Sequence, residues 1–360
     1  MKTSWIGIFL VWVTGVSGLS TAFAADKWGK PGSVEVEEKI QQAVELGLAY
    51  LVSQQKSDGA FGVRKDFSVA VTSLSCLALM AGGNVPGRGR YGDSVRQGIE
   101  YILRCQQPSG YFTLPGDRSR MHGHGYAGLM LAQAHGMSPP SMQLKLRESI
   151  ENAIQCTIAS QTREGGWGYE PKAQQDHEGS ITVCQLQFLR AARNGGFKVP
   201  IQTIRMATQY LMKSANPNGS FKYRLGMSSA GHRFPLTAAG ISALNARGVD
   251  RENKELYGIV ERGMTFMMKY LPPHGIQDRT YKNFFYYGHY YAAQAMYQAR
   301  ENAYWKRWYP EISRELVQRR FVKGGQQGYW VHQRYGNTYS TAIALMILQI
   351  EAQYLPIFQK

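Results

Sequence analysis

The stretch QTREGGWGYEP, residues 161–171, sets two adjacent glycines, a tryptophan and a tyrosine in a short polar interval between two apolar segments. Such residues suit either an active-site loop or a turn that recurs through a larger architecture. Comparison along the chain favours the turn. QQKSDGAFG (54–62), CQQPSGYFT (105–113), SQTREGGWG (160–168) and SANPNGSFK (214–222) fall into one register, each centred on glycine, any residue, then an aromatic. Gln55, Gln106 and Gln161 stand four residues before Gly59, Gly110 and Gly165, and Phe61, Phe112 and Trp167 follow two residues after them. A fourth unit keeps Gly219 and Phe221, a later one keeps Gly328 and Trp330, and PPHGIQD around Gly275 fills the place between. Successive glycines lie 51, 55, 54, 56 and 53 residues apart. A period of that length marks stacked supersecondary units.

Each motif sits between two helical patterns of different kind. The preceding segments, such as SVRQGIEYILRCQQ and LRESIENAIQCTIASQ, space apolar residues three and four apart and read as amphipathic outer helices. The following ones, such as SVAVTSLSCLALMAGG and PLTAAGISALNARG, are apolar nearly all round and read as buried inner helices. EISRELVQRRFV closes the outer set and TYSTAIALMILQIEAQYL the inner set, and no alternation long enough for a sheet appears. Six such hairpins make either an open solenoid or a closed ring. The all-round apolar inner helices and the lack of polar capping repeats favour the ring: an all-α protein, an α/α toroid of six inner and six outer helices. Its turn glycines supply backbone angles that other residues resist. In this register Cys105 and Cys156 come near the ends of neighbouring outer helices, the pair best placed to meet, although buried free thiols are the simpler expectation for all four cysteines.

These residues resemble the QW repeat, Gln-x-x-x-Gly-x-Trp, of the prenyltransferase and squalene-cyclase superfamily. Gln161, Gly165 and Trp167 match it in full, and the units at Gln55 and Gln106 match with phenylalanine in place of tryptophan. The end of the chain, with YYGHYYAAQAMYQ, WKRWYPEI and GYW, is similar to exported bacterial proteins carrying such repeats. The resemblance implies an α/α toroid with a central cavity. It carries little of the family's chemistry with it. No Asp-x-Asp-Asp run is present to protonate an alkene. The Arg-x-x-Lys-x-x-Asp-x-Cys pattern of protein prenyltransferases lies on RTYKNFFYY, where Arg279 and Lys282 fall on the family's diphosphate-binding pair but Phe285 and Tyr287 replace its zinc ligands. The Gly-Cys-Gly-Glu-Gln thioester motif of complement-like toroids is absent too.

In a ring whose inner helices run parallel, six N-termini and their partial positive charges converge on one mouth, a place suited to an anion. The residues reaching that mouth include Arg118, Arg233, Arg279, Lys282 and Arg334, with His122, His124, His177, His232, His289 and His332 and several tyrosines between them. Arginine suits phosphate or carboxylate, and histidine or tyrosine can move protons. The candidate ligand-binding residues are therefore Arg118, His232, Arg233, Arg279, Lys282 and Arg334. The candidate catalytic residues are His122, His124, Asp176, His177, Tyr287 and His289. Polar residues that merely start helices, such as Asp66, Asp176 and Ser228, are the alternative reading. The cysteines show no dense metal spacing, His122 and His124 with Asp176 or His177 offer a minor alternative as metal ligands, and no metal or cofactor is expected.

Residues 1–24 read as a secretory signal: a lysine, an apolar run from Trp5 to about Leu19, and Ala22-Phe23-Ala24 at a cleavage site. Residues 25–360 then form one toroid domain outside the cytoplasm, periplasmic or extracellular. The formal charge of +16 loses only Lys2 with that segment. Such a balance favours anionic partners, whereas scattered charges and export disfavour nucleic acid. Three functions fit: a toroid holding an isoprenoid or other ligand with an anionic head, a polysaccharide lyase-like toroid acting on an acidic glycan, or a non-catalytic module that contacts protein or the cell envelope. An apolar tunnel closed at one end favours the first, an open groove of aromatics and arginines the second, a filled centre the third.

Overall fold

A computed structural model describes residues 28–30, 32–63, 65–174, 176–227, 233–245, 253–299 and 302–358. Residues 1–24 and His232 lie outside the described residues, as does Ser228. The inner helices are α2 (Ser68–Ala81), α4 (Arg120–His135), α6 (Gly179–Asn194), α8 (Arg233–Asn245), α11 (Phe285–Gln298) and α13 (Asn337–Leu348). Each packs on the next, and α13 returns to α2, which closes the ring. The outer helices are α1 (Val34–Ser53), α3 (Gly92–Arg104), α5 (Pro140–Ala159), α7 (Ile201–Ser214), α9 (Lys254–Met268) and α12 (Asn302–Arg319), and the short α10 (Arg279–Asn283) precedes α11. Pairing follows the sequence: α3 lies on α2, α5 on α4, α7 on α6, α9 on α8, α12 on α11 and α1 on α13.

The two layers form for the reason the patterning suggests. In α3 the buried side chains Val95, Ile99 and Ile102 fall on one stripe, so only that face needs cover. In α2 every residue but Ala70 is buried, because the helix meets α3, α4 and α13. The recurring turn locks neighbouring repeats together. The side-chain amide of Gln161 donates to the carbonyl of its own Gly165 at 2.9 Å and to that of Thr203 on α7 at 3.0 Å. Gln55 makes the same pair with Gly59 and Ser94, and Gln106 with Gly110 and Ser149. The glycine is required twice over. Gly165 has φ +91°, and a Cβ there would come 2.4 Å from the carbonyl oxygen of Met206 on the next outer helix. The aromatic two residues on is buried, and its backbone N–H reaches the inner helix: Phe61 donates to Thr72 Oγ1, Trp167 to Thr182, Phe221 to Thr237 and Trp330 to Thr341, at 3.0–3.1 Å.

The last repeat departs from the helical expectation. Its outer helix stops at Arg319, and Phe321–Lys323 (β1) pairs antiparallel with Gln327–Tyr329 (β2) in a small hairpin that packs on α1. Beta-branched and aromatic residues beside two glycines at 324 and 325 favour that turn over another helical one. The inner helix likewise ends at Leu348, and the remainder runs through two short 3₁₀ turns, Ile350–Ala352 and Pro356–Phe358. This C-terminal segment crosses the C-terminal ends of the inner helices. Tyr354 lies over Gly83 after α2, the Ile357 N–H donates to Gln133 on α4 at 2.8 Å, and Gln298 on α11 donates to the Ile357 carbonyl at 3.2 Å. One mouth of the ring is thereby covered. All four cysteines are buried and free, Cys105 and Cys156 included.

Candidate functional site

A cavity of about 390 Å³ occupies the other mouth, where the inner helices begin. Its wall comes from the N-terminal halves of all six: Phe67, Val71 and Leu74 around α2, His122 and Tyr126 of α4, Ser180 of α6, Leu236 of α8, Tyr287 of α11 and Tyr339 of α13. Arg118 and Arg334 join from the preceding loops, both exposed to solvent, and Tyr169 and Tyr223 meet beside them with their hydroxyls 2.6 Å apart. The result is an apolar chamber with two guanidinium groups in its lining. Its volume falls in the range of small-molecule sites.

The sequence-predicted residues divide sharply. His122, Tyr287, Arg118 and Arg334 face the cavity. His124, two residues after His122, turns away into the wall. Its Nδ1 accepts from the Phe112 N–H at 3.3 Å, and its Nε2 lies 2.9 Å from Thr157 Oγ1. That first contact is the one threonine makes in four other repeats, so His124 stands in the threonine position. His289 occupies the same place in its repeat, 52 residues before Thr341 and 52 after Thr237. It is fully buried between Phe285 and Trp308, with Nε2 3.0 Å from Tyr281 Oη. Burial lowers the pKa of His124 to about 4 and that of His289 well below the usual value, so both stay neutral.

Four other candidates lie outside the cavity. His177 packs edge-on against Tyr210 and bonds to its hydroxyl at 2.9 Å. Asp176 is exposed and pairs with Arg224 at 2.6 Å. Arg279 and Lys282 are exposed on α10 and do not line the chamber. Arg233 begins α8 at the same end of the ring. The histidines therefore share an end of the ring without sharing a site, because helical phase sends adjacent side chains to opposite sides. Among the described residues no three His, Cys, Asp or Glu side chains are grouped to hold a metal ion.

The residue that sequence reading passed over is Glu178. Trp167 of the opening motif pairs in a β-bridge with Glu178, whose N–H donates to the Trp167 carbonyl at 2.9 Å, and this fixes Glu178 as the N-cap of α6. Its carboxylate accepts from the backbone N–H groups of Ser180 and Ile181, each at 2.8 Å, and from the Ser180 hydroxyl at 2.6 Å. Only 1% of the side chain is exposed. Burial raises its pKa to about 7, against the pull of those donors and of Arg224. Ser180 Oγ in turn lies 3.0 Å from His122 Nε2, and His122 Nε2 stands 3.8 Å from Glu178 Oε1. Burial holds His122 down to about 4. The Tyr287 hydroxyl lies beside Ser180 without a hydrogen bond of ordinary geometry, and burial keeps it protonated. The signal for Glu178 was its place just before a small-residue helix start, a capping position that flanking polar residues obscured.

No protein-family model and no curated protein sequence matches this chain. Solved structures do resemble it. A type II terpene cyclase, MstE from Scytonema, is 14% identical over 88% of this chain and 100% of its own, with a TM-score of 0.58. An α-1,6-mannanase of Salegentibacter sp., solved with α-1,6-mannotriose, is 9% identical over 88% and 99%, with a TM-score of 0.63. An unsaturated glucuronyl hydrolase specific for heparin is 12% identical over 89% and 98%, with a TM-score of 0.62. At these identities the likeness is one of fold: the chain is an α/α toroid, an architecture it has in common with terpene cyclases and with carbohydrate-active enzymes.

Proposed function

We propose that the ring binds a small amphipathic ligand of the isoprenoid type, its apolar body against Leu74, Tyr126, Leu236 and Tyr339 and its anionic head at Arg118 and Arg334. The observation that carries this reading is the pairing of two exposed arginines with one largely apolar chamber, in a ring covered at its far mouth. The converging N-termini of the inner helices add favourable potential for the anion. A variant of Scytonema MstE has been solved with its substrate geranylgeranyl dihydroxybenzoate, which lends the reading support from the same fold. Membership of the QW-repeat branch, a cleaved signal at residues 1–24, one toroid domain over 25–360 and export to the periplasm or beyond belong to the same proposal. Contact with the envelope would follow from export and the basic balance.

An acidic polysaccharide is the second reading, favoured by Arg118, His122 and Tyr287 lining one cavity. A lyase can neutralise a uronate with arginine and remove a proton with histidine or tyrosine. Hydrolysis of a glycosidic bond is disfavoured, since that chemistry needs two carboxyl groups flanking the bond, and among the described residues no carboxylate lines this cavity. Titration calorimetry with farnesyl phosphate, farnesol and a uronate tetrasaccharide separates the readings. Binding of farnesyl phosphate at least tenfold tighter than farnesol, and weakened tenfold or more by combined Arg118→Ala and Arg334→Ala, is the expected result. Binding of the tetrasaccharide alone would transfer the proposal to the glycan. No binding of any of the three would sink both.

A further inference from the structure

We propose that Glu178, Ser180 and His122 form a proton relay that exchanges a proton with the head of a cavity-bound ligand through Nδ1 of His122. The three groups lie in line. Glu178 contacts Ser180 Oγ at 2.6 Å, and Ser180 Oγ contacts His122 Nε2 at 3.0 Å. With Nε2 so engaged, Nδ1 is the ring nitrogen left for the cavity, whose wall His122 forms.

The relay has two arrangements of equal bonding. With Glu178 ionised, the Ser180 hydroxyl donates to the carboxylate and the Ser180 oxygen accepts from Nε2–H, so Nδ1 is a base. When Nδ1 takes a proton from the ligand, Nε2–H passes its proton to Ser180 Oγ and the Ser180 proton moves to Glu178. Glu178 is then neutral and donates to Ser180, Ser180 donates to Nε2, and Nδ1–H is an acid. One proton enters at Nδ1, one resides on Glu178, and the imidazole is neutral in both arrangements. That neutrality suits a ring that is largely withdrawn from solvent in the cavity wall.

The surroundings leave the proton on Glu178 rather than elsewhere. The phenols of Tyr169, Tyr210, Tyr223 and Tyr287 face Glu178 from four other segments, and burial raises the pKa of each. The Cys184 thiol on the same helix is likewise pushed up, to about 12. Arg224 acts on Glu178 as a cation, and Asp176 draws on it from the solvent side. A carboxyl that titrates near neutrality can hold or release a proton at little cost. The ligand class that suits it is a phosphate monoester, whose second ionisation near pH 6 lies in the same range. This assignment rests on the proposed anionic-head reading for its ligand, but the relay itself is testable without one.

The test is the tautomer of His122, read from its side-chain ¹⁵N shifts between pH 5 and 9 in the full chain, with the signal assigned by His122→Gln. Expected is Nε2–H above a midpoint near 7 and Nδ1–H below it, without a doubly protonated ring. Glu178→Gln should abolish the transition and Ser180→Ala should uncouple it. A single tautomer across the range, or a midpoint unmoved by Glu178→Gln in a protein of native circular dichroism, overturns the relay. Calorimetry of farnesyl phosphate in two buffers of different ionisation enthalpy then reads proton exchange on binding. A proton count that Glu178→Gln leaves unchanged overturns the role toward the ligand. Absence of binding with an intact tautomer transition removes the ligand reading and leaves the relay.

Discussion

Gln161 offers the sharpest test of how the ring is held closed. Its side-chain amide supplies two hydrogen bonds at once, to the carbonyl of Gly165 within the turn and to that of Thr203 on the next outer helix. Gln161→Ala leaves both carbonyls without that donor. A net 0.5–1.5 kcal/mol per bond, plus the cost of an unsatisfied buried acceptor, gives about 2–3 kcal/mol. With an unfolding entropy of roughly 2.1 cal/mol/K per residue, one kcal/mol corresponds to about 1.3 °C in a chain of 360 residues. Differential scanning calorimetry should therefore show Tm lowered by about 3–4 °C. Gln161→Glu discriminates further. An ionised carboxylate cannot donate and would face two carbonyl oxygens, so it should lower Tm by more than alanine does, about 5–8 °C, with partial recovery on acidification when the group can donate again. A Gln161→Ala change within 1 °C of wild type, or a glutamate better tolerated than alanine at neutral pH, would refute the account of the glutamine as the clasp between repeats.

Further expectations follow from other positions. Gly165→Ala combines left-handed backbone with a Cβ 2.4 Å from the Met206 carbonyl, and should cost about 3 kcal/mol or more in urea unfolding. At His124, threonine should be tolerated better than leucine by about 1–2 kcal/mol, because only threonine gives the Phe112 N–H an acceptor, and neither should alter ligand affinity. Stability should also depend on pH from both sides. His122 and His124 are depressed to about 4, so their contribution is complete above about pH 6.5 and is lost as pH falls toward 4, roughly 3 kcal/mol each. Glu178 is raised to about 7, so its contribution is complete below about pH 4.5 and is lost as pH rises through 7, again roughly 3 kcal/mol. Urea midpoints from pH 4 to 9 should show Glu178→Gln removing the alkaline decline while leaving the acid one.

The architecture was legible because it repeats. Five aromatic–glycine turns at near-constant spacing, with amphipathic helices before them and uniformly apolar ones after, specify both layers of the ring from local pattern alone. The hairpin at Phe321–Tyr329 and the C-terminal crossing were not legible, since each segment is short and its conformation depends on what α1 and the inner helix ends present to it. The site was legible only in part. Sequence brought histidines, arginines and tyrosines to the right end of the ring, because position along an inner helix fixes which mouth a residue approaches. It did not say which side of each helix faces the cavity. That is a matter of helical phase set by packing, and it sent His122 inward while giving His124 the threonine's place against the turn and burying His289 beside Tyr281. Glu178 shows the same division. A glutamate before a helix is a capping residue by composition. Only the fold buries it behind Ser180 and His122, where loss of solvent moves its proton into the neutral range.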